Sequence, residues 1–227
     1  YFINLYSALF FSYGLFKFSF LLPRPGLALL YSMPYLVFIV GMGYTRQSFA
    51  IGAFFIALIC LEKRQMFRYL FAILIGGMFH TSLLLFMPLV LIVYRKKQKT
   101  LALGALLFVP VFILIIYYMD LNIFFQRYIV NNNFVSKGAI FRLMISGVIS
   151  SLLIITIKRY SINSDGKSIY AGLALITIIL FFGAIFGGPT TALDRFALYT
   201  YPPQLVFFSY FPSLFENRVS ATRGWIL

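Results

Sequence analysis

The sequence is poor in the residues that build metal centres, disulfides and soluble surfaces. It has five Asp and Glu, one histidine and one cysteine, and 11% of its residues are charged, against about 25% in a typical soluble domain. Because ligand-bearing side chains are so scarce, we expect no metal-ligand cluster and no other cofactor. The single cysteine, Cys60, cannot form an intramolecular disulfide and is expected to be a packing residue.

Phosphate-binding glycine motifs are missing as well. Neither GxxxxGK[ST] nor GxGxxG occurs, so no nucleotide site is indicated. The formal net charge of +14 would favour a nucleic acid partner for a soluble protein. Here most Lys and Arg lie in short clusters between apolar runs, which indicates the positive-inside bias of a membrane protein and no nucleic acid partner.

Long apolar runs dominate the sequence. Hydrophobic residues make up 62% of the chain, and the mean hydropathy is +0.94. Runs of about 20 apolar residues are long enough to cross a bilayer as helices. We therefore predict an all-α, polytopic transmembrane helical bundle that forms a single integral membrane domain over residues 1–227. Because Tyr1 already lies in an apolar run, we also expect the chain to be N-terminally incomplete.

Basic clusters orient the predicted spans. The clusters at 62–68, 95–99 and 158–167 and the C-terminal tail are all assigned to the cytoplasmic side. The longest outer loop is then predicted at 119–140 and a shorter one at 187–195. About seven full spans result, at 1–22, 27–43, 46–61, 100–118, 141–157, 168–186 and 196–215.

Residues 69–94 lie between two clusters assigned to the same side, so the chain must enter the membrane and return. They are too few for two full spans and predict a hairpin of two short helices that folds back between Gly76 and Ser82. The only histidine, His80, would then lie in a recess below the outer surface. An ionisable group at such depth costs several kcal/mol and usually serves a function. The alternative is a single span with one basic cluster on the wrong side.

Several cations are predicted at the outer face, where the positive-inside rule predicts few. Arginine binds phosphate bidentately and stays charged in a dry setting. A recess lined by these groups is therefore predicted to bind an anionic ligand, of which a phosphate-bearing one is favoured. The polar residues assigned to this face around His80 are Arg46, Arg127, Lys137, Arg142, Asp194 and Arg195.

Each of these residues also has a purely structural interpretation. Arg46 could extend to the lipid headgroups, and His80 could be a hydrogen-bonded packing residue. Asp194 and Arg195 could simply pair with each other, and the remaining cations could bind lipid. The tyrosines near this surface are interpreted as an interfacial belt in preference to sugar-stacking residues: Tyr44, Tyr117, Tyr118, Tyr128, Tyr199 and Tyr201.

The sequence also contains three motif-like stretches. They are GYTRQSFAIGAFFIALICLEKR from Gly43, FHTSLLLFMPL from Phe79 and LDRFALYTYPPQLVFF from Leu193. In order and spacing they resemble the EpsG-like branch of the Wzy polysaccharide polymerases, with its R-Q-x-x-A, F-H-x-S and D-R-x-x-x-Y stretches. The matched motif positions are Arg46, Gln47, His80 and Arg195. The family usually has more spans and a polar loop upstream of the first motif.

The resemblance implies a multi-pass enzyme of the bacterial inner membrane that makes O-antigen, capsule or exopolysaccharide. Such an enzyme is a metal-independent glycosyltransferase that joins polyprenyl-diphosphate-linked oligosaccharide repeat units on the outer side. Its expected partners are this lipid-linked oligosaccharide, the lipid bilayer and other polysaccharide-assembly proteins. In the implied reaction, His80 takes the proton of the attacking hydroxyl, and Arg46 and Arg195 stabilise the leaving diphosphate. The implied substrate-binding residues are Gln47, Arg127, Lys137, Arg142 and Asp194.

Three other functions are compatible with a polytopic chain of this kind. A flippase or other transporter of lipid-linked oligosaccharide would favour inverted repeats and charges near the midplane, whereas the charges here gather toward one face. An O-antigen ligase-type transferase uses the same donor with a different acceptor, and the residues alone do not separate it from a polymerase. A membrane acyltransferase could also use an intramembrane histidine, but the Arg-rich face favours a phosphate leaving group.

Overall fold

The computed structural model describes residues 2–94 and 138–215, and all regular structure within these two ranges is helical. The predicted all-α fold class is therefore confirmed for this part of the chain. The candidate site residues Arg127 and Lys137, the predicted span at 100–118 and most of the predicted outer loop at 119–140 lie outside the described residues. The helices are α1 (Phe2–Ser19), α2 (Pro25–Ser32), α3 (Thr45–Glu62), α4 (Met66–Phe79), α5 (Leu89–Tyr94), α6 (Ala139–Thr156), α7 (Ser164–Ile185), α8 (Thr190–Ala197) and α9 (Pro202–Tyr210).

Three of the described helical segments are long and apolar enough to cross a membrane: Thr45–Glu62, Ala139–Arg159 and Ser164–Ile185. The chain is thus a helical membrane protein, but the predicted count of about seven full spans is not confirmed. Of the shorter apolar helices, Pro25–Gly41 falls on a predicted span, at 27–43.

The last predicted span, 196–215, is not one helix. It is divided into α9 and short 3₁₀ turns on either side, because prolines at 202, 203 and 212 remove backbone donors that a continuous helix needs. The preceding segment, predicted as an outer loop at 187–195, contains most of α8. This end of the chain is therefore a series of short helical pieces, and α8 is one of the pieces that bring residues to the candidate site.

α3 is the central helix of the described bundle. It packs against α1 on one side and α4 on the other, and 67% of it is buried, against 33% of the spans at α6 and α7. The contact with α1 is close because both helices carry glycine there. A Cβ on Gly14 would lie 2.3 Å from the carbonyl oxygen of Gly52, and one on Gly52 would lie 2.7 Å from the Cα of Phe11. Small residues let two helix backbones approach in this way.

The predicted fold-back between residues 76 and 82 is present. α4 ends at Phe79, His80 is extended (φ −148°, ψ 103°), and a 3₁₀ helix starts at the next residue. The two arms run antiparallel, since the hydroxyl of Tyr69 donates to the carbonyl of Phe86. Gly76 leaves the room that the returning arm needs, because a Cβ there would lie 2.4 Å from the side chain of Leu83. His80 is consequently the apex of the hairpin.

A π-helical segment, Met33–Gly41, continues directly from α2. Its second residue is Pro34, which has no backbone N–H to give to a regular ladder. π-helical turns are rare and frequently occur at functional sites. Here the segment carries Tyr35 to the side chain of Asp194 on α8.

Candidate functional site

The site is built where the apex of the hairpin meets the start of α3 and the end of α8. The rings of Phe79 and Phe49 are stacked with centroids 3.8 Å apart, which joins the residue before His80 to the first turns of α3. A hydrogen bond of 2.9 Å from Nε2 of Gln47 to the backbone carbonyl of Arg195 joins α3 to α8. We call the partly exposed region around His80, Arg46 and Arg195 the recess.

His80 is held through one ring nitrogen. The hydroxyl of Tyr199 lies 3.0 Å from Nδ1 of the imidazole. Tyr199 has no exposed surface, and its ring packs against the rings of Phe54 and Phe86. Within the described parts of the chain, Nε2 of His80 has no hydrogen-bond partner. The arrangement fixes the orientation of the ring and leaves Nε2 for a ligand.

The adjacent residues Arg46 and Gln47 have different roles in the site. Gln47, which the resemblance implies to bind substrate, is 4% exposed, and its amide nitrogen donates to the backbone of α8. Arg46 is exposed in the first turn of α3. Gln47 therefore holds two elements of the site together, while Arg46 presents its charge beside them.

Two guanidinium groups are available to an anion. Arg46 and Arg195 are both exposed, and neither forms an ion pair with any residue that the structure describes. Burial of the imidazole and the positive charge of Arg195 together lower the pKa of His80, which lies outside the three candidate spans. The recess thus combines two unpaired cations with an imidazole that is neutral near pH 7.

Asp194 pairs with Arg142, so the alternative in which it pairs with the adjacent Arg195 is wrong. Nε of Arg142 donates to Oδ1 at 3.1 Å and Nη2 donates to Oδ2 at 2.6 Å, which is the bidentate geometry that arginine favours. The hydroxyl of Tyr35 also donates to this carboxylate, at 3.4 Å. The guanidinium of Arg142 lies over the ring of Tyr35. Successive residues of a helix point about 100° apart, so Arg195 is directed elsewhere and keeps its charge.

The sequence analysis did not predict the positions of three tyrosines at or near the site. Tyr199 and Tyr201, assigned to an interfacial belt, are both buried, and that assignment is wrong for them. Tyr35 was not among the candidate residues, because no motif marks it and only the π-helical segment brings it to Asp194. The one usable signal was position: Tyr199 lies in the third matched stretch, four residues after Arg195.

No group of three or more His, Cys, Asp or Glu could hold a metal ion within residues 2–94 and 138–215. The nearest acid to the recess, Asp194, is already bonded by Arg142 and Tyr35. The charges that this part of the chain offers to a ligand at the recess are therefore the two arginines.

An apolar groove of about 400 Å³ is lined in part by two residues that neighbour residues of the site. Phe86, whose ring packs against Tyr199, forms part of its wall, and so does Phe196, which follows Arg195 in the chain. The remaining lining is aliphatic, from the returning arm of the hairpin and from α7: Leu85, Pro88, Leu89, Ile92, Ile176 and Leu180. A polar recess next to an apolar groove suits an amphiphile with an anionic head.

The substitution Asp194→Asn is expected to destabilise the protein. Arg142 would keep its position over Tyr35 but lose a charged, bidentate partner whose side chain is only 14% exposed, which is worth about 1–3 kcal/mol. The matched control is Asp165→Asn, which breaks the ion pair with Arg64; that arginine is 60% exposed, against 34% for Arg142, so this substitution should change stability less. Thermal unfolding in detergent measures both variants. Equal effects from the two substitutions would contradict the role given to the Asp194 pair.

Comparison with known proteins identifies the family of the chain. The EpsG family model matches residues 1–226, nearly the whole chain. No curated protein and no solved structure matches the chain.

Proposed function

The chain belongs to the EpsG family, and from this premise we propose that it polymerises polyprenyl-diphosphate-linked oligosaccharide repeat units. Membership makes it a membrane protein of polysaccharide biosynthesis. The proposal adds the reaction, a glycosyl transfer in which polyprenyl diphosphate leaves. It also adds the place, the outer side of the bacterial inner membrane, in which the chain is inserted as a multi-pass protein.

One observation carries the proposal: two exposed arginines with no ion-pair partner among the described residues lie on elements that meet at a neutral imidazole, and residues next to this site line an apolar groove. A polyprenyl diphosphate has the matching chemistry, with a charged head for Arg46 and Arg195 and a hydrocarbon chain for the groove. A ligand with the head alone would have no use for the groove. A ligand with the tail alone would leave two arginines without a counter-charge.

In the proposed reaction, a hydroxyl oxygen of the acceptor sugar attacks the anomeric carbon of the donor. The bond from that carbon to the diphosphate oxygen breaks, and its electron pair leaves with the diphosphate on its polyprenyl chain. Negative charge therefore grows on the diphosphate, where Arg46 and Arg195 stabilise it as preorganised positive groups. The hydroxyl proton goes to His80 or to the departing diphosphate, and which of them accepts it depends on the protonated nitrogen of the imidazole.

The polysaccharide of a strain that lacks the full-length protein tests this function. Loss of a polymerase should leave surface glycan with a single repeat unit, visible as one short band on a gel. Loss of a flippase should leave no repeat unit at the surface, and loss of a ligase should leave long polymer on the lipid carrier. Restoring the full-length protein should bring back the ladder of lengths. A strain with a normal ladder after deletion would refute the proposal.

A further inference from the structure

We infer that Tyr199 fixes the proton of the neutral His80 ring on Nε2, so that the imidazole donates a hydrogen bond to the anionic ligand and does not serve as the base. Tyr199 is then a positioning residue, and His80 is a neutral hydrogen-bond donor in the recess beside the cations Arg46 and Arg195. The role toward the leaving diphosphate rests on the proposed function. The assignment of the proton to Nε2 does not.

The argument begins with the hydroxyl of Tyr199. This residue has no exposed surface, and within the described residues the hydroxyl has one hydrogen-bond partner, Nδ1 of His80 at 3.0 Å. A phenol carries one proton, which a buried hydroxyl must donate to some acceptor or leave unbonded at considerable cost. Nδ1 can accept that proton only when it carries none of its own. The proton of the neutral ring must then be on Nε2.

The opposite assignment satisfies fewer groups. With a proton on Nδ1, the ring would donate to the oxygen of Tyr199, and the tyrosine proton would have no acceptor among the described residues. A doubly protonated ring has the same defect. It also places a full positive charge in a setting where burial, and after it the charge of Arg195, lowers the pKa of His80. The neutral ring with its proton on Nε2 satisfies both partners.

Nε2 is the nitrogen that faces a ligand, because it has no partner in the described residues and His80 is partly exposed. With its lone pair absent, this nitrogen cannot take a proton from the attacking hydroxyl. It can donate to a diphosphate oxygen as charge develops there, as a neutral imidazole does when it stabilises an oxyanion. The hydroxyl proton then goes to the departing diphosphate, which balances the transfer.

The single histidine makes the assignment directly measurable. We would label the full-length protein with ¹⁵N-histidine, place it in nanodiscs and record the two ring nitrogens by NMR near pH 7. The expected spectrum shows the directly bonded proton on Nε2 and an unprotonated, hydrogen-bonded Nδ1. A proton on Nδ1 would overturn the inference. This measurement needs neither substrate nor activity.

The matched variant is Tyr199→Phe, which keeps the ring that packs against Phe54 and Phe86 and removes only the hydroxyl. Without its donor, His80 is expected to show a mixture of the two neutral forms, with a clear change at both nitrogens. Unchanged nitrogen signals in this variant would show that Tyr199 does not set the proton position.

Polymerisation by two amide variants then separates donor from base. The side-chain amide of Gln reaches the position of Nε2, whereas that of Asn reaches the position of Nδ1. If His80 donates through Nε2, the polymerisation rate of His80→Gln should be about tenfold or more above that of His80→Asn. Removal of such a donor costs about 10²–10³ in rate. Equal loss of activity in both variants would contradict the donor role of Nε2 and favour His80 as the general base. If even the wild-type protein made no polymer, the proposed function would fail while the NMR result still decided the proton position.

Discussion

Replacing either Arg46 or Arg195 with alanine is expected to abolish polymer while the protein remains in the membrane at its normal amount. Both guanidinium groups are exposed at the recess and unpaired among the described residues, so their charge is available to the leaving diphosphate. Removing one preorganised donor should slow the transfer about 10²–10³-fold. Lysine should restore only part of the activity, because an ammonium cannot make the bidentate contact.

The readout is the length distribution of surface glycan, with an immunoblot of the membrane fraction for the amount of protein. Arg68→Ala is the matched control, since Arg68 is also exposed but follows the far end of α3, which is about 27 Å long. That variant should make a normal ladder. A normal ladder from Arg46→Ala, with the protein present, would remove Arg46 from the site.

The second large effect is expected from Gly52→Ala in the contact between α1 and α3. Its new Cβ would lie 2.7 Å from the Cα of Phe11 and 2.8 Å from the carbonyl oxygen of Phe10. These are backbone atoms, so the two helices themselves must separate, at a cost near the upper end of the about 1–3 kcal/mol typical of overpacking. Size-exclusion profiles and thermal unfolding in detergent should show aggregated or strongly destabilised protein.

Gly26→Ala provides the control for this change. No atom lies within 4 Å of the position that its Cβ would take, and the residue is in the first turn of α2. Alanine has the higher helix propensity, so this variant should be as stable as the wild type or slightly more so. If Gly52→Ala proved equally tolerated, the close approach of α1 and α3 would be wrong.

Hydropathy predicted the fold well where one apolar run makes one helix. α3, α6 and α7 follow the predicted spans closely, because each is an uninterrupted apolar stretch of the right length. The same reasoning failed at 196–215, where composition is apolar but prolines divide the chain into short pieces. It also missed α8, whose residues are too polar to register in a hydropathy profile.

The position of the site could be predicted in part. Orientation by basic clusters assigned His80, Arg46 and Arg195 to one face, and the fold-back that makes His80 an apex followed from the length of its segment. The ion-pair partner of Asp194 could not be predicted, because Arg142 is 52 positions away in the sequence. Nor does any local pattern reveal that Tyr199 is buried against the imidazole.

The hairpin has a consequence for the surrounding lipid. Its first arm, Met66–Phe79, has 14 residues and is about 21 Å long at 1.5 Å per residue, whereas the hydrocarbon of a bilayer is about 30 Å thick. Hydrophobic mismatch of this size is relieved by a locally thinner bilayer or by water above the apex. Either way, water and lipid headgroups are expected to come closer to His80 than to a residue at the same depth in a full-length span.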